Sequence, residues 1–325
     1  MTRPGPTHER EVARVEPAEG LATRLEQEQL PLLIVGGVAH WRALSSWTPS
    51  GLERLLGSAE IDFKLSSSNA HPDFRQTELR HMFARGRSTF AEFLRKLGTG
   101  PDAERARVLF TGDEQFVLRR REGVTTLNPV LAPLLDDIEL PTLFPEERLY
   151  SVWSWFSGRG VRTWLHYDNN GCHNLNAQVR GHKHCWLFAP EELCRLHPFP
   201  LGGGNPAHNC SQIDVEAPQP EFQSDLRAAP AWHAELQAGD LLFIPAWWFH
   251  TFRHEGELNA NLNFWWRPQR PTWNAVAARQ ALIDAAGCAG LAKDPAAAAT
   301  LHALDDCMCA GGARQSAPPL SPPSR

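Results

Sequence analysis

The chain has 325 residues, 42% of them apolar and 21% charged, a balance that suits a folded globular protein and excludes disorder as its overall state. Lys plus Arg number 32 against 37 Asp plus Glu, and the resulting formal charge of −5 argues against a protein whose main work is coating nucleic acid or an anionic membrane. Twelve Trp stand against two Tyr, only Lys64, Lys96, Lys183 and Lys293 among the 32 cations are lysines, and 24 Gly with 26 Pro suit a turn-rich β protein better than a helix bundle.

Residues 1–20 are polar, carry no hydrophobic period and read as a flexible arm. The opening ten residues hold no apolar stretch, so no secretory signal is expected, and no run approaches the ~18 apolar residues of a membrane span. The seven scattered cysteines then read most simply as reduced thiols in the cytoplasm. Residues 30–38 read as a short buried strand ending in a Gly turn. Thr48 is placed to cap a short helix that runs to Leu56, with Pro49 in its first turn. Residues 61–65 alternate like a strand, and 88–94 read as a capped helix with Phe90, Phe93, Leu94 and Leu97 on one face. Residues 107–111 form another strand, and Arg119-Arg120-Arg121 reads as a solvated charge run.

From Tyr150 the texture changes. Strand-like runs follow at 150–156, 162–167, 174–180, 184–188, 232–236, 240–245, 249–253 and 258–266. Turn signals separate them, among them Gly181, Gly239-Asp240 and Glu255-Gly256. Many short strands at near-regular spacing predict a barrel or sandwich. Beyond Pro268 the chain turns Ala-rich and helical in pattern up to about residue 310, and residues 311–325 have the composition of a disordered tail. The domain expected to carry function is 21–268, with 269–310 as a helical extension.

His166-Tyr167-Asp168 ends one strand-like run. Side chains at i and i+2 project from the same face of a strand, so His166 and Asp168 point into one space. His250 follows the apolar run Leu241-Leu242-Phe243-Ile244-Pro245 and the pair Trp247-Trp248. Two imidazoles and one carboxylate on one side of a metal leave three positions open, the 2-His-1-carboxylate arrangement of non-haem Fe(II) oxygenases. His-x-Asp alone recurs by chance in a chain with 14 His; the other histidines, His173 and His254 among them, read as ordinary core or surface residues.

Further stretches stand in a telling order: Pro31-Leu32-Leu33-Ile34-Val35-Gly36-Gly37-Val38-Ala39-His40-Trp41, Thr163-Trp164-Leu165-His166-Tyr167-Asp168, Asn174-Leu175-Asn176-Ala177-Gln178-Val179-Arg180-Gly181-His182-Lys183, Ser211-Gln212-Ile213-Asp214, Gly239-Asp240-Leu241-Leu242-Phe243-Ile244-Pro245-Ala246-Trp247-Trp248-Phe249-His250 and Asn261-Leu262-Asn263-Phe264-Trp265. In these motifs the chain resembles the cupin-like JmjC family of Fe(II)/2-oxoglutarate oxygenases, and within it the asparaginyl hydroxylase subgroup of factor inhibiting HIF.

The resemblance implies a mainly β (α+β) fold, a double-stranded β-helix of cupin or jelly-roll type with surrounding helices and the helical C-terminal extension. It implies Fe(II) on His166, Asp168 and His250, and Lys183 and Thr163 on the distal carboxylate of 2-oxoglutarate. Asn174 and Asn263 match amides near the metal-binding end of that co-substrate, and Trp248 and Trp265 are expected on the pocket wall. A buried dianion needs a cation, which supports Lys183 on physical grounds as well. The activity implied is O2-dependent hydroxylation of a protein or peptide side chain, with 2-oxoglutarate decarboxylated to succinate. Readings in other classes are a tRNA-modifying or small-molecule hydroxylase of the same chemistry, and a non-catalytic cupin-fold binding protein. An RNA partner would have to use a local patch such as Arg85, Arg87 and Arg119-Arg120-Arg121. In the family the helices after the barrel dimerise, which implies a homodimer; no membrane partner is expected.

Two departures stand out. Where the subgroup has a tyrosine on the co-substrate, the strand here reads Val108-Leu109-Phe110-Thr111; where it has an Arg-Gln pair on the target amide, Asn209-Cys210 stand. The resemblance therefore carries oxygenase chemistry and not asparaginyl specificity.

Overall fold

The computed structural model describes residues 6, 8–65, 84–98, 108–119, 123–126, 129–201, 207–288 and 295–312. Arg120 and Arg121 of the charge run and the tail from 313 onward lie outside them, as do the side chains of Arg85 and Arg119. Thirteen strands among the described residues join one mixed sheet that curls into a nearly closed barrel. In chain order they are β1 Glu9–Glu11, β2 Ala13–Val15, β3 Leu32–Ile34, β4 Glu60–Leu65, β5 Ala84–Thr89, β6 Val108–Arg119, β7 Gly123–Thr126, β8 Leu149–Ser157, β9 His166–Tyr167, β10 His173–Phe188, β11 Ala231–Leu236, β12 Leu241–Ile244 and β13 Phe249–Trp266. Helices α1 Leu21–Gln27, α2 Ala43–Ser46, α3 Pro49–Leu56 and α4 Phe90–Gly98 pack outside it; α5 Gln223–Ala228, α6 Ala275–Cys288 and α7 Pro295–Gly312 follow. This is the expected jelly-roll core with surrounding helices.

The helix starts follow their sequence signals. The Thr48 hydroxyl accepts from Gly51 N at 3.0 Å at the head of α3. Thr89 and Glu92 form a reciprocal capping box at the head of α4, whose Phe90, Phe93 and Leu97 are buried.

The two long strands organise everything else. β10 and β13 pair antiparallel from His173↔Trp266 to Phe188↔Phe249; β10 also pairs β12 near its start and β11 near its end. Period-2 alternation sorts their residues. Leu175, Ala177 and Val179 of β10 and Leu258, Ala260, Leu262, Phe264 and Trp266 of β13 build the main core with the outer helices. Asn174 and Asn176 of β10 and Asn261 and Asn263 of β13 face a cavity on the other side.

Gly181 and Glu255-Gly256, expected as turns ending strands, instead lie inside β10 and β13. The register shifts between Gln178 and Arg180 and between Arg180 and His182, and Gly181 and Gly256 adopt φ of +70° and +89°. The bulge reverses the parity of both strands. Cavity residues are even-numbered before it on β10 (174, 176) and odd after it (183); on β13 they are even before (250, 252, 254) and odd after (261, 263, 265). Without that shift Lys183 would point outward.

Two expectations are corrected. The first twenty residues are not a loose arm throughout: β1 runs parallel to β11 and β2 parallel to β3. Their attachment is backbone pairing joined by polar side-chain contacts such as Trp186 Nε1 donating to Glu9 at 3.2 Å, and only Val12 is buried between them, so no hydrophobic period was there to read. Reduced thiols were expected, yet Cys194 and Cys309 form a disulfide with Cα atoms 5.3 Å apart, because α7 folds back over the segment after β10. Cys172, Cys185 and Cys210 are buried free thiols. Among the described residues no helix is long and apolar enough to cross a membrane.

Candidate metal centre

β9 is only His166 and Tyr167, and it pairs with β13 so that His166 lies directly opposite His250. This register holds the two imidazole centroids 4.4 Å apart. Asp168, two residues past His166, brings Oδ1 to 3.7 Å from His166 Nε2 and 3.9 Å from His250 Nε2. The three donor atoms lie within 4.8 Å of one another, close enough to share one ion.

Hydrogen bonds fix which atoms face inward. His166 Nδ1 donates to the Trp164 carbonyl at 2.7 Å, and His250 Nδ1 donates to the Trp248 carbonyl at 3.1 Å. A carbonyl only accepts, so each ring carries its proton on Nδ1 and turns an Nε2 lone pair toward Asp168. Asp168 Oδ2 accepts from Trp265 Nε1 at 2.7 Å and from Asn174 Nδ2 at 2.9 Å, which leaves Oδ1 for the histidine side. Asn174 is held in turn by Asn263 Nδ2, and Asn263 Oδ1 accepts from both Asn176 and Asn261. The alternating asparagines of β10 and β13 are thus one chain of amides ending on the carboxylate.

Electrostatics favour the ligating forms. Burial raises the Asp168 carboxyl, but His250, His166 and the hydrogen bonds from Trp265 and Asn174 together hold it below its ordinary value. Burial, with His166 nearby, pushes His250 down to about 4. Two imidazole nitrogens and a carboxylate oxygen form a donor set that fits Fe(II) and equally Mn, Co or Ni.

The three donors open on a cavity of about 340 Å³. Lys183 and Thr163 line it too. Lys183 is 1% exposed, has no carboxylate partner among the described residues, and places Nζ 4.5 Å over the Phe252 ring. Burial pushes its ammonium down to about 7. Thr163 Oγ1 accepts from Phe252 N at 2.8 Å, so its hydroxyl proton remains free to donate. Of the two tryptophans expected on the wall, Trp265 is there. Trp248 is not: it packs edge-on against Trp232 at 4.9 Å, in a cluster with Leu242 and Ile244. Trp247 adopts φ +72°, so the turn before β13 breaks the alternation that placed Trp248 inward. Its contribution to the site is its backbone carbonyl. Tyr167 points away from the cavity, as its place between His166 and Asp168 requires.

The structure adds Asn176, Asn261, Trp153, Trp155 and His254 to the lining. Stepping by twos from Asn174 and Asn263 would have found the two asparagines, and stepping by twos from His250 would have found Phe252 and His254.

Comparison with known proteins places this geometry in company. The chain is 29% identical over 279 residues to lysine-specific demethylase JMJ31 of Arabidopsis thaliana, covering 77% of this chain and 48% of that protein. It is 28% identical over 227 residues to tRNA wybutosine-synthesizing protein 5 of Danio rerio, covering 68% of this chain and 64% of that protein. To lysine-specific demethylase 8 of Xenopus tropicalis it is 25% identical over 247 residues, 73% of this chain and 48% of the relative. The chain therefore spans half to two thirds of the length of these relatives. The cupin-like domain profile matches residues 18–271, most of the sequence, and the protein belongs to the cupin-like domain family.

Proposed function

We propose that this protein is an Fe(II)- and 2-oxoglutarate-dependent oxygenase that hydroxylates a protein or peptide side chain. The observation that carries the reading is the convergence of His166 Nε2, Asp168 Oδ1 and His250 Nε2 on a cavity that also holds a buried, unpaired lysine. The metal would be held by those three atoms. Bound there, Fe(II) supplies the O2 activation that couples decarboxylation of 2-oxoglutarate to oxidation of a substrate C–H bond.

The chain's own residues do the rest. The Trp164 and Trp248 carbonyls orient the imidazoles, and Trp265 and Asn174 orient the carboxylate. The distal carboxylate of the co-substrate holds Lys183 in its charged form, because an anion beside it offsets the penalty of burial. Thr163 donates its hydroxyl proton to the same carboxylate. Asn174 and Asn263 lie beside the metal-binding end, where Asn174 first serves Asp168. Trp153, Trp155, Phe252 and Trp265 wall the cavity and exclude water. Tyr150 and Asn169, the exposed cavity residues, meet the incoming substrate.

Incubation with Fe(II), ascorbate and 2-oxoglutarate under air is expected to release succinate, with and without a peptide pool. Asp168→Ala abolishes that release. Absence of succinate from the wild-type protein in both conditions would overturn the reading.

A second substrate class has its own support, the 28% identity to a tRNA wybutosine-synthesizing protein. Salt-sensitive retention of RNA by the wild-type protein, with succinate release stimulated by RNA and not by peptides, would favour it.

A further inference from the structure

Lys183 and His254 are direct partners across the β10–β13 pair. Directly opposed residues on antiparallel strands share a face with Cβ atoms about 5 Å apart. Lys183 follows the parity reversal on β10 and His254 precedes it on β13, and both line the cavity. His254 lies four residues along β13 from His250, and it is 3% exposed. Its Nδ1 is hydrogen-bonded to the buried Ser157 hydroxyl. Its Nε2 has no partner among the described residues. Burial, with Lys183 facing it, pushes its pKa down to about 3, so the ring is neutral and carries one proton. In the tautomer in which the Ser157 hydroxyl donates to Nδ1, the ring proton stands on Nε2. Lys183, the Thr163 hydroxyl and His254 thus form a set of hydrogen-bond donors with no acceptor supplied by the described protein. A buried donor set without an acceptor is costly unless a ligand provides one.

We propose that His254 is a binding residue for the distal carboxylate of the 2-oxoacid co-substrate, donating from Nε2 beside Lys183. This rests on the oxygenase reading above, and it assigns a chemical role to a histidine that neither the metal centre nor the fold requires. A neutral donor suits the place: a second cation beside Lys183 would be repelled, whereas an imidazole N–H adds a hydrogen bond to a charged acceptor without adding charge.

The test uses the full chain with Mn(II) in place of Fe(II), and two ligands read by calorimetry. 2-Oxoglutarate has the distal carboxylate; pyruvate has the same chelating end without it. His254→Leu is expected to weaken 2-oxoglutarate binding about tenfold or more and to leave pyruvate unchanged. His254→Gln, whose amide nitrogen stands near the position of the ring Nε2, recovers most of the loss. In wild-type protein with 15N-labelled histidine, the Nε2–H signal of His254 shifts on adding 2-oxoglutarate and stays put with pyruvate. That measurement needs no substitution, so a variant that fails to fold does not decide the matter. Equal weakening of both ligands would assign His254 a purely structural role and overturn the proposal. Unchanged 2-oxoglutarate binding in His254→Leu, alongside weakened binding in Lys183→Ala, would overturn it while the co-substrate reading stands. Failure of wild-type protein to bind 2-oxoglutarate at all would overturn both.

Discussion

Trp265 Nε1 donates to Asp168 Oδ2 at 2.7 Å, and this bond decides which carboxylate oxygen faces the two histidines. With Asn174 on the same oxygen, Asp168 cannot rotate without breaking two hydrogen bonds. Partners of this kind tune metal sites, and their loss typically costs 10–100-fold in affinity. Trp265→Phe keeps an aromatic wall and removes the donor. Its Mn(II) dissociation constant, measured by competition titration, is expected to rise by roughly that factor. A constant equal to wild type would show that Asn174 alone orients the carboxylate.

Three buried histidines set the response to acid. Burial pushes His173 and His250 down to about 4 and His254 to about 3, whereas in the unfolded chain each titrates near 6.5. Between those values the unfolded state binds protons that the folded state refuses. Stability is therefore complete above about pH 6.5 and falls as the pH drops toward 4, by about 1.4 kcal/mol per pH unit for each histidine. The urea midpoint of metal-free protein is expected to be clearly lower at pH 5.5 than at pH 7.5. His173 Nδ1 accepts from Ala246 N at 3.0 Å. His173→Asn keeps an acceptor there and removes one titrating ring, so its drop between the two pH values should be smaller. An identical drop would mean His173 is not held neutral by the fold.

The three candidate metal donors were legible because they follow local rules: i and i+2 along the chain for His166 and Asp168, and a β-rich setting for His250. The alternating asparagines were legible as strand residues, but their joint role as an amide chain ending on Asp168 depends on cross-strand register. Trp248 was misplaced because period-2 counting ran through a turn where Trp247 adopts a left-handed conformation. The strands at residues 9–15 escaped notice because sheet pairing uses backbone groups, which polar sequence does not reveal. The pairing of Lys183 with His254 depends on a bulge, and the Cys194–Cys309 pair on a helix folding back. Both are non-local events that leave no periodic trace.

Gly181 is where that non-local geometry can be tested. It adopts φ +70°, and a Cβ there would come within 2.7 Å of the Leu258 carbonyl oxygen and 2.6 Å of Asn259 Oδ1. Gly181→Ala therefore combines backbone strain of about 1–3 kcal/mol with a clash against a neighbouring strand. Gly256 shares the conformation at φ +89°, but a Cβ there meets nothing closer than 3.6 Å. Gly256→Ala should show strain alone. The expected order of urea midpoints is wild type, then Gly256→Ala, then Gly181→Ala, and only Gly181→Ala should also lose 2-oxoglutarate affinity through displacement of Lys183. Equal effects of the two substitutions would separate the bulge from the position of Lys183.

The helical extension has a role in the fold whether or not it also joins two copies. Arg279 of α6 is fully buried and pairs with Asp305 of α7 at 2.7 Å; it also donates to the Phe199 and His208 carbonyls and to the Tyr167 hydroxyl. Tyr167 donates to Gln280 and sits between His166 and Asp168, so the helices grip the 166–168 segment that carries two of the three candidate metal donors. Removing one member of a buried ion pair strands the other, at a cost of about 3–5 kcal/mol. Arg279→Leu is expected to lose stability of that order and to weaken Mn(II) binding by loosening β9. Adding Asp305→Leu should restore much of the stability, because no unpaired charge then remains. Truncation near residue 270, the natural test of dimerisation, removes this anchor too. A fall in sedimenting mass would therefore count as dissociation only if the shortened chain keeps its metal affinity. An Arg279→Leu protein with wild-type stability and metal affinity would show that the helices merely rest on the barrel.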